Sequence, residues 1–122
     1  MERLEASGVV KRVSQCECAC NVVLVEQGQQ GQDYRMCYNF VELNPYTEDI
    51  QYAIQEPAQI IDESRGATCW SVIDIKACFH NFPVVEHAKT YLGVVTQDGL
   101  WQNERMTFGL QSAPKHCQNA MD

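Results

Sequence analysis

Three observations predict an α+β fold: short β-branched runs, an Asp-Gly turn between two of them, and helix signals scattered irregularly among the strands. Residues 3–7 read as the end of a helix stopped by Gly8, since glycine tolerates the left-handed conformation with which helices close. Residues 9–14 are mixed in character and read as loop. Residues 21–26, NVVLVE, are apolar and β-branched and predict a strand. Residues 27–33 set Gly28 and Gly31 among glutamines without periodicity and read as a hairpin tip, with residues 34–40 as the returning strand. Leu43-Asn44-Pro45 breaks that strand, because the residue before proline is pushed out of the helical region, and residues 46–55 read as irregular. Residues 57–65 predict a short helix with Pro57 in its first turn, Ile60 and Ile61 facing inward and Gly66 at its end. Residues 90–96 and 100–103 flank Gln97-Asp98-Gly99 and predict a second hairpin. Residues 105–110 form a tight connection, and residues 112–121 predict a helix with Ser112 as N-cap and Pro114 in its first turn.

A chain of 122 residues is one domain at most. Hydrophobic content of 45% and charged content of 20% are ordinary for a globular chain. The apolar run VVLV at residues 22–25 is far too short to span a bilayer, and Met1 is followed by Glu2, Arg3 and Glu5 rather than an apolar leader. The expected location is therefore intracellular, in cytoplasm or nucleus, and not secreted. The net charge of -7 argues against holding nucleic acid by bulk electrostatics, because phosphate binding leans on Lys and Arg. Without an export signal, the seven cysteines are expected as reduced thiols. Cys16-x-Cys18-x-Cys20 suggests a metal cluster, but its spacing differs from the paired two-residue gaps of structural zinc sites. In an extended segment the three thiols share one face, which suits burial equally well.

The chemistry centres on residues 70–83, WSVIDIKACFHNFP. Read as a strand, this stretch places Trp70, Val72 and Asp74 on one face, with Ser71, Ile73 and Ile75 on the other. An acid on an otherwise apolar face is costly unless something pairs with it, and a divalent cation is one candidate. A solvated strand-end aspartate is the plainer alternative.

Four blocks, taken in order, resemble the reverse transcriptases of LTR retroelements, most closely the gypsy type. They are SQCECACNVVLV from Ser14, DYRMCYNFVELN from Asp33, VIDIKACFHNFPV from Val72, and GLWQNERMTFGLQSAPKHCQNAMD from Gly99. The family's counterparts are the fingers hairpin, an Asp-Tyr-Arg-x-Leu-Asn strand, Leu-Asp-Leu-Lys-x-x-Phe/Tyr-x-x-Ile-Pro, and Arg-Met-Pro-Phe-Gly-Leu-x-x-Ala-Pro. The resemblance implies a fingers hairpin and fingers–palm connection over about residues 1–69. Over about residues 70–122 it implies an incomplete palm of antiparallel strands and packed helices. It also implies an RNA-directed DNA polymerase that adds deoxynucleotides to a primer on an RNA or DNA template by two-metal phosphoryl transfer, with Mg²⁺ or Mn²⁺ as cofactor.

Carried over residue by residue, Asp74 matches the first metal-binding carboxylate. The backbone at Ile75, Lys76, Ala77 and Cys78 would line the triphosphate. Phe79 matches the aromatic gate beneath the sugar, which excludes a 2′ hydroxyl by bulk; the alternative is a core aromatic. Phe108 and Gly109 match the segment supporting the incoming nucleotide, where glycine permits close approach. Ala113-Pro114 would start the helix behind the templating base. Arg35 matches the fingers arginine that stacks on the base and touches phosphate, with a surface cation as the alternative. Arg105 reads as structural. His80 reads as a packed histidine, and His87 and His116 as exposed.

The departures are equally specific. The family's remaining metal carboxylates lie in a Tyr-x-Asp-Asp turn beyond the Ala-Pro helix, and no adjacent Asp-Asp occurs in these 122 residues. One carboxylate cannot hold two hard cations, so this chain alone is expected to be inactive and not to bind Mg²⁺ stably. The hairpin tip, residues 26–32, has no lysine. Asn39, Val41, Thr107, Asn103 and Cys117 replace residues usual in the family. A non-catalytic interaction or regulatory protein derived from the same element is the second expectation, and a thiol-rich metal module the third. The remainder of a polyprotein is a further possible partner; no membrane partner is expected.

Overall fold

The computed structural model describes residues 1–27 and 33–122; of the tip expected at residues 27–33, residues 28–32 lie outside the described residues, and Gln27 and Asp33 are paired strand ends rather than loop. The chain opens with α1 (Glu2–Ala6), which Gly8 ends at φ +70°. Next come strands β1 (Val10–Arg12), β2 (Ala19–Gln27) and β3 (Asp33–Tyr38). A 3-10 turn (Asn44–Tyr46) starts at the Asn-Pro step, and α2 (Pro57–Glu63) follows an irregular stretch. A second 3-10 turn (Cys78–Asn81) leads to α3 (Glu86–Lys89), β4 (Gly93–Thr96), β5 (Gly99–Asn103) and α4 (Ala113–Met121).

Among the described residues the strands form one mixed sheet in the order β1-β5-β4-β2-β3. β2 pairs with β3 from Val22↔Tyr38 to Gln27↔Asp33, and β4 pairs with β5 from Gly93↔Gln102 to Thr96↔Gly99, both antiparallel. The join between the two hairpins is parallel, Ala19↔Gly93 to Asn21↔Val95. A parallel pair needs a long crossover, and here everything from β3 to α3 lies within it. At Gly93, where the two hairpins meet, a Cβ would stand 2.4 Å from the Cys18 carbonyl oxygen.

The main core lies against this sheet: Val9, Val10, Tyr38, Phe40, Leu92, Val94 and Trp101 are buried together. Trp101 satisfies its indole N–H by donating to Thr96 Oγ1 at 3.0 Å, and Arg12 lies over its ring while donating to the Asp98 carbonyl at 2.7 Å. A second, smaller core joins Met106, Ala113 and Cys117, with Cys78, Phe79 and Phe82 packed against it. It fixes α4 against the second 3-10 turn. α4 also holds the irregular stretch, through Lys115 to Asp49 at 2.5 Å and Tyr52 to Asp122.

The structure corrects the sequence reading at several places. Residues 9–14 are not loop throughout: Val10–Arg12 becomes a strand through pairing with β5, Val10↔Asn103. The strand expected from residue 90 begins at Gly93, because α3 and its closing turn occupy the preceding residues. Ile60 and Ile61 do not face inward; both are exposed, Ile61 to 67%. The strand expected at residues 70–75 does not form, so the division of faces read from it does not apply. Val72 is 96% exposed and Ile73 87%. Strand-forming side chains become a strand only when an edge accepts their backbone groups, and none of the described strands pairs with this stretch.

Candidate functional site

The second 3-10 turn positions the residues of the central stretch. It is entered through Ala77, which adopts a left-handed conformation at φ +49°. For a residue with a Cβ this conformation costs roughly 1–2 kcal/mol, and Asn81 Nδ2, at 3.4 Å from both the Lys76 and the Ala77 carbonyl oxygens, helps to hold it. The turn swings Phe79 toward the 107–109 bend. There the Phe79 and Phe108 rings meet edge to face, with centroids 4.8 Å apart, a geometry that adds about 0.5–1.5 kcal/mol beyond burial. His80 presents its ring to the same phenyl group at 6.2 Å. Burial lowers the His80 pKa from its ordinary 6.5, favouring the neutral imidazole.

Arg35 reaches this pair from β3. Its guanidinium carbon lies 5.3 Å from the Phe108 ring centroid. With its amide oxygen turned toward Arg35, Gln27 accepts from Nη2 at 2.7 Å and Nε at 3.1 Å. The cation is thus held by its neighbour across the hairpin while the arginine side chain stays exposed. Arg35 and Phe79 thus both contact the Phe108 ring, and the three form a row of pairwise contacts from hairpin to turn.

Gly109 sits beside this row at φ +103°. The close approach that requires glycine is to the protein itself: a Cβ there would stand 2.1 Å from the Tyr38 carbonyl oxygen. Asn44 clamps the same segment, donating from Nδ2 to the Gly109 carbonyl at 3.0 Å and accepting from the Gln111 N–H at 3.0 Å. Sequence reading saw Asn44 only as a strand breaker. An asparagine before proline is a local turn signal, and nothing in it announces a partner 65 residues away. Gln27 reads in the sequence as part of the hairpin tip, and only the pairing of β2 with β3 brings it to Arg35.

Asp74, Ile75, Lys76 and Ala77 are exposed, and Cys78 is half-buried. Among the described residues Asp74 has no hydrogen-bond or ion-pair partner, and no group of three or more His, Cys, Asp or Glu side chains is placed to hold a metal ion. A donor set of one carboxylate does not fit a pair of divalent cations. Cys16, Cys18 and Cys20 are free thiols, Cys18 exposed and the others half-buried; burial raises the Cys20 thiol to about 11. Ser112 occupies the N-cap of α4, but its side chain makes no capping bond. Arg105 pairs through its backbone with Pro83, and His87 and His116 are exposed. Among the described residues no helix is long and apolar enough to cross a membrane.

No protein-family model matches the chain. It is 28% identical to the uncharacterized protein K02A2.6 of Caenorhabditis elegans over all of its own length and 10% of that protein's. It is 27% identical to the transposon Tf2-3 polyprotein of Schizosaccharomyces pombe over 92% of the chain and 8% of the polyprotein. Polyprotein P3 of Commelina yellow mottle virus is 30% identical over 72% of the chain and 5% of its own length. The chain thus spans a tenth or less of the curated relatives it matches. Among solved structures, the foamy viral protease-reverse transcriptase in complex with double-stranded DNA superposes with a TM-score of 0.80 at 13% identity, over 97% of this chain and 20% of that one. The same protein with an RNA/DNA hybrid gives 0.79 over 98% and 16%. The chain carries a reverse-transcriptase-like α+β fold, and its sequence is similar to part of the transposon polyproteins.

Proposed function

We propose that the chain is the fingers, about residues 1–69, and the beginning of the palm, about residues 70–122, of a gypsy-type LTR-retroelement RNA-directed DNA polymerase, and that it supplies one wall of a nucleotide site. The observation that carries this reading is the row Arg35, Phe108 and Phe79. A planar cation stacked on an aromatic ring offers a nucleobase a flat face and a phosphate a fork of donors. The neighbouring Phe79 ring offers a deoxyribose an apolar floor with no room for a 2′ hydroxyl. Lys76 and the backbone from Ile75 to Cys78, exposed up to the half-buried Cys78, would line the triphosphate, and Phe108 and Gly109 would support the incoming nucleotide. Asp74 contributes one of several carboxylates that Mg²⁺ or Mn²⁺ would need. The others are not among these 122 residues, so the chain alone is inactive and holds no stable metal.

Filter binding of a labelled deoxynucleoside triphosphate in the presence of a primer–template at low salt tests the reading. Binding that Arg35→Ala weakens by roughly fivefold, a loss of about 1 kcal/mol, is the expected result; binding indifferent to Arg35 overturns it. Primer extension with Mg²⁺ should show no incorporation, and incorporation abolished by Asp74→Asn would contradict the single-carboxylate argument.

The net charge of -7 favours a second reading, a non-catalytic interaction or regulatory protein derived from the same element. Loss of all primer–template binding at low salt would select it.

A further inference from the structure

Cys78 and Cys117 are 39 residues apart in sequence, yet their sulfurs stand 3.3 Å apart. Cys78 begins the turn that carries Phe79, and Cys117 is buried on the inner side of α4 beside Met106 and Ala113. We propose that this pair is a covalent modification site, at which a low-molecular-weight disulfide such as oxidised glutathione closes Cys78 and Cys117 into an intramolecular bond that pins the turn to α4. The proposal does not depend on the nucleotide reading.

Geometry selects this pair. The sulfurs need approach by only about 1.3 Å to reach disulfide length, and the elements bearing them already share a core. No other pair of cysteine sulfurs is hydrogen-bonded among the described residues. The two thiols also differ in access: half-buried Cys78 can be reached from solvent, whereas Cys117 is only 4% exposed. Burial, with Cys78 alongside, pushes the Cys117 thiol up to about 12. Its resting form is therefore the neutral thiol. A disulfide is also uncharged, so its formation places no new charge in the core.

The exchange balances in two steps. Cys78, losing its proton, attacks one sulfur of oxidised glutathione and expels a glutathione thiolate, which takes up a proton. Cys117 then loses its proton and attacks Cys78 Sγ, and the second glutathione leaves as a thiol. Two protein thiols are oxidised and one small disulfide is reduced to two thiols. Because Cys117 must lose its proton to attack, the second step accelerates as pH rises.

The test is to incubate the folded chain with oxidised glutathione, quench with an alkylating agent in acid, and map the cross-linked peptides by mass spectrometry. The Cys78–Cys117 peptide, lighter by two hydrogens, should exceed every other cysteine pair by about tenfold, because the fold raises the local thiol concentration. That preference should vanish in urea. Cys117→Ala should stop at a stable glutathione adduct on Cys78. If that variant does not fold, the native-against-urea comparison in the unaltered chain still decides. A lasting glutathione adduct on Cys78 of the unaltered chain, or the same scatter of pairs in native and urea samples, overturns the proposal.

Discussion

Gly109 holds a conformation and a contact that no other residue can reproduce together. Its φ of +103° and the 2.1 Å approach of a Cβ to the Tyr38 carbonyl oxygen both act against Gly109→Ala. Backbone strain and forced displacement together should cost about 2–4 kcal/mol, read as a lower urea midpoint. Asn44 secures the same bend with two side-chain bonds to backbone groups. Asn44→Ala should cost about 1–2 kcal/mol and loosen the 108–111 segment first, which amide hydrogen exchange there would record. His80 contributes a pH dependence. Burial lowers its folded-state pKa below 6.5, so the unfolded chain binds the extra proton more readily. The stability His80 confers is therefore full above pH 6.5 and is lost as pH falls through the lowered folded value. Urea midpoints at pH 7.5 and pH 5 should show that loss, and His80→Gln should reduce it; an unchanged pH dependence in the variant would contradict this assignment.

The elements differ in how far their sequence announces them. The β4–β5 hairpin and α4 were legible because their signals are local: Asp98-Gly99 at the turn, and Ser112 and Pro114 at the helix start. β1 was not, since its three residues become a strand only by meeting Trp101 to Asn103. Residues 70–75 failed in the opposite direction. Their side chains favour a strand, but the state depends on an edge that the described strands do not offer. Cys78 and Cys117 carry no spacing signal at all, and only the packing of α4 on the 3-10 turn brings them together. Joining them closes a long loop, which should stabilise the fold by roughly 3–4 kcal/mol and raise Tm by about 10 °C. Calorimetry on the oxidised and reduced chain would check this; an unchanged or lower Tm would mean that the bond strains the turn.

For the molecule as a whole, the fold class and the order of the main elements were readable, and the candidate site residues were named by resemblance alone. The partners that hold them were not. Resemblance named Arg35, Phe79 and Phe108 separately; the structure adds that Gln27 fixes the guanidinium and that Phe108 lies between it and Phe79. The charge of -7 opposes long-range attraction of phosphates, so any nucleotide binding must come from short-range stacking and a few placed donors. The most direct test is an amide NMR titration of the labelled chain with a deoxynucleoside triphosphate. Shifts concentrated at Arg35, Phe79, Phe108 and Gly109, and weakened in Arg35→Ala, are predicted. Saturating nucleotide that leaves those amides unmoved, or that shifts a different surface, would contradict the proposed site.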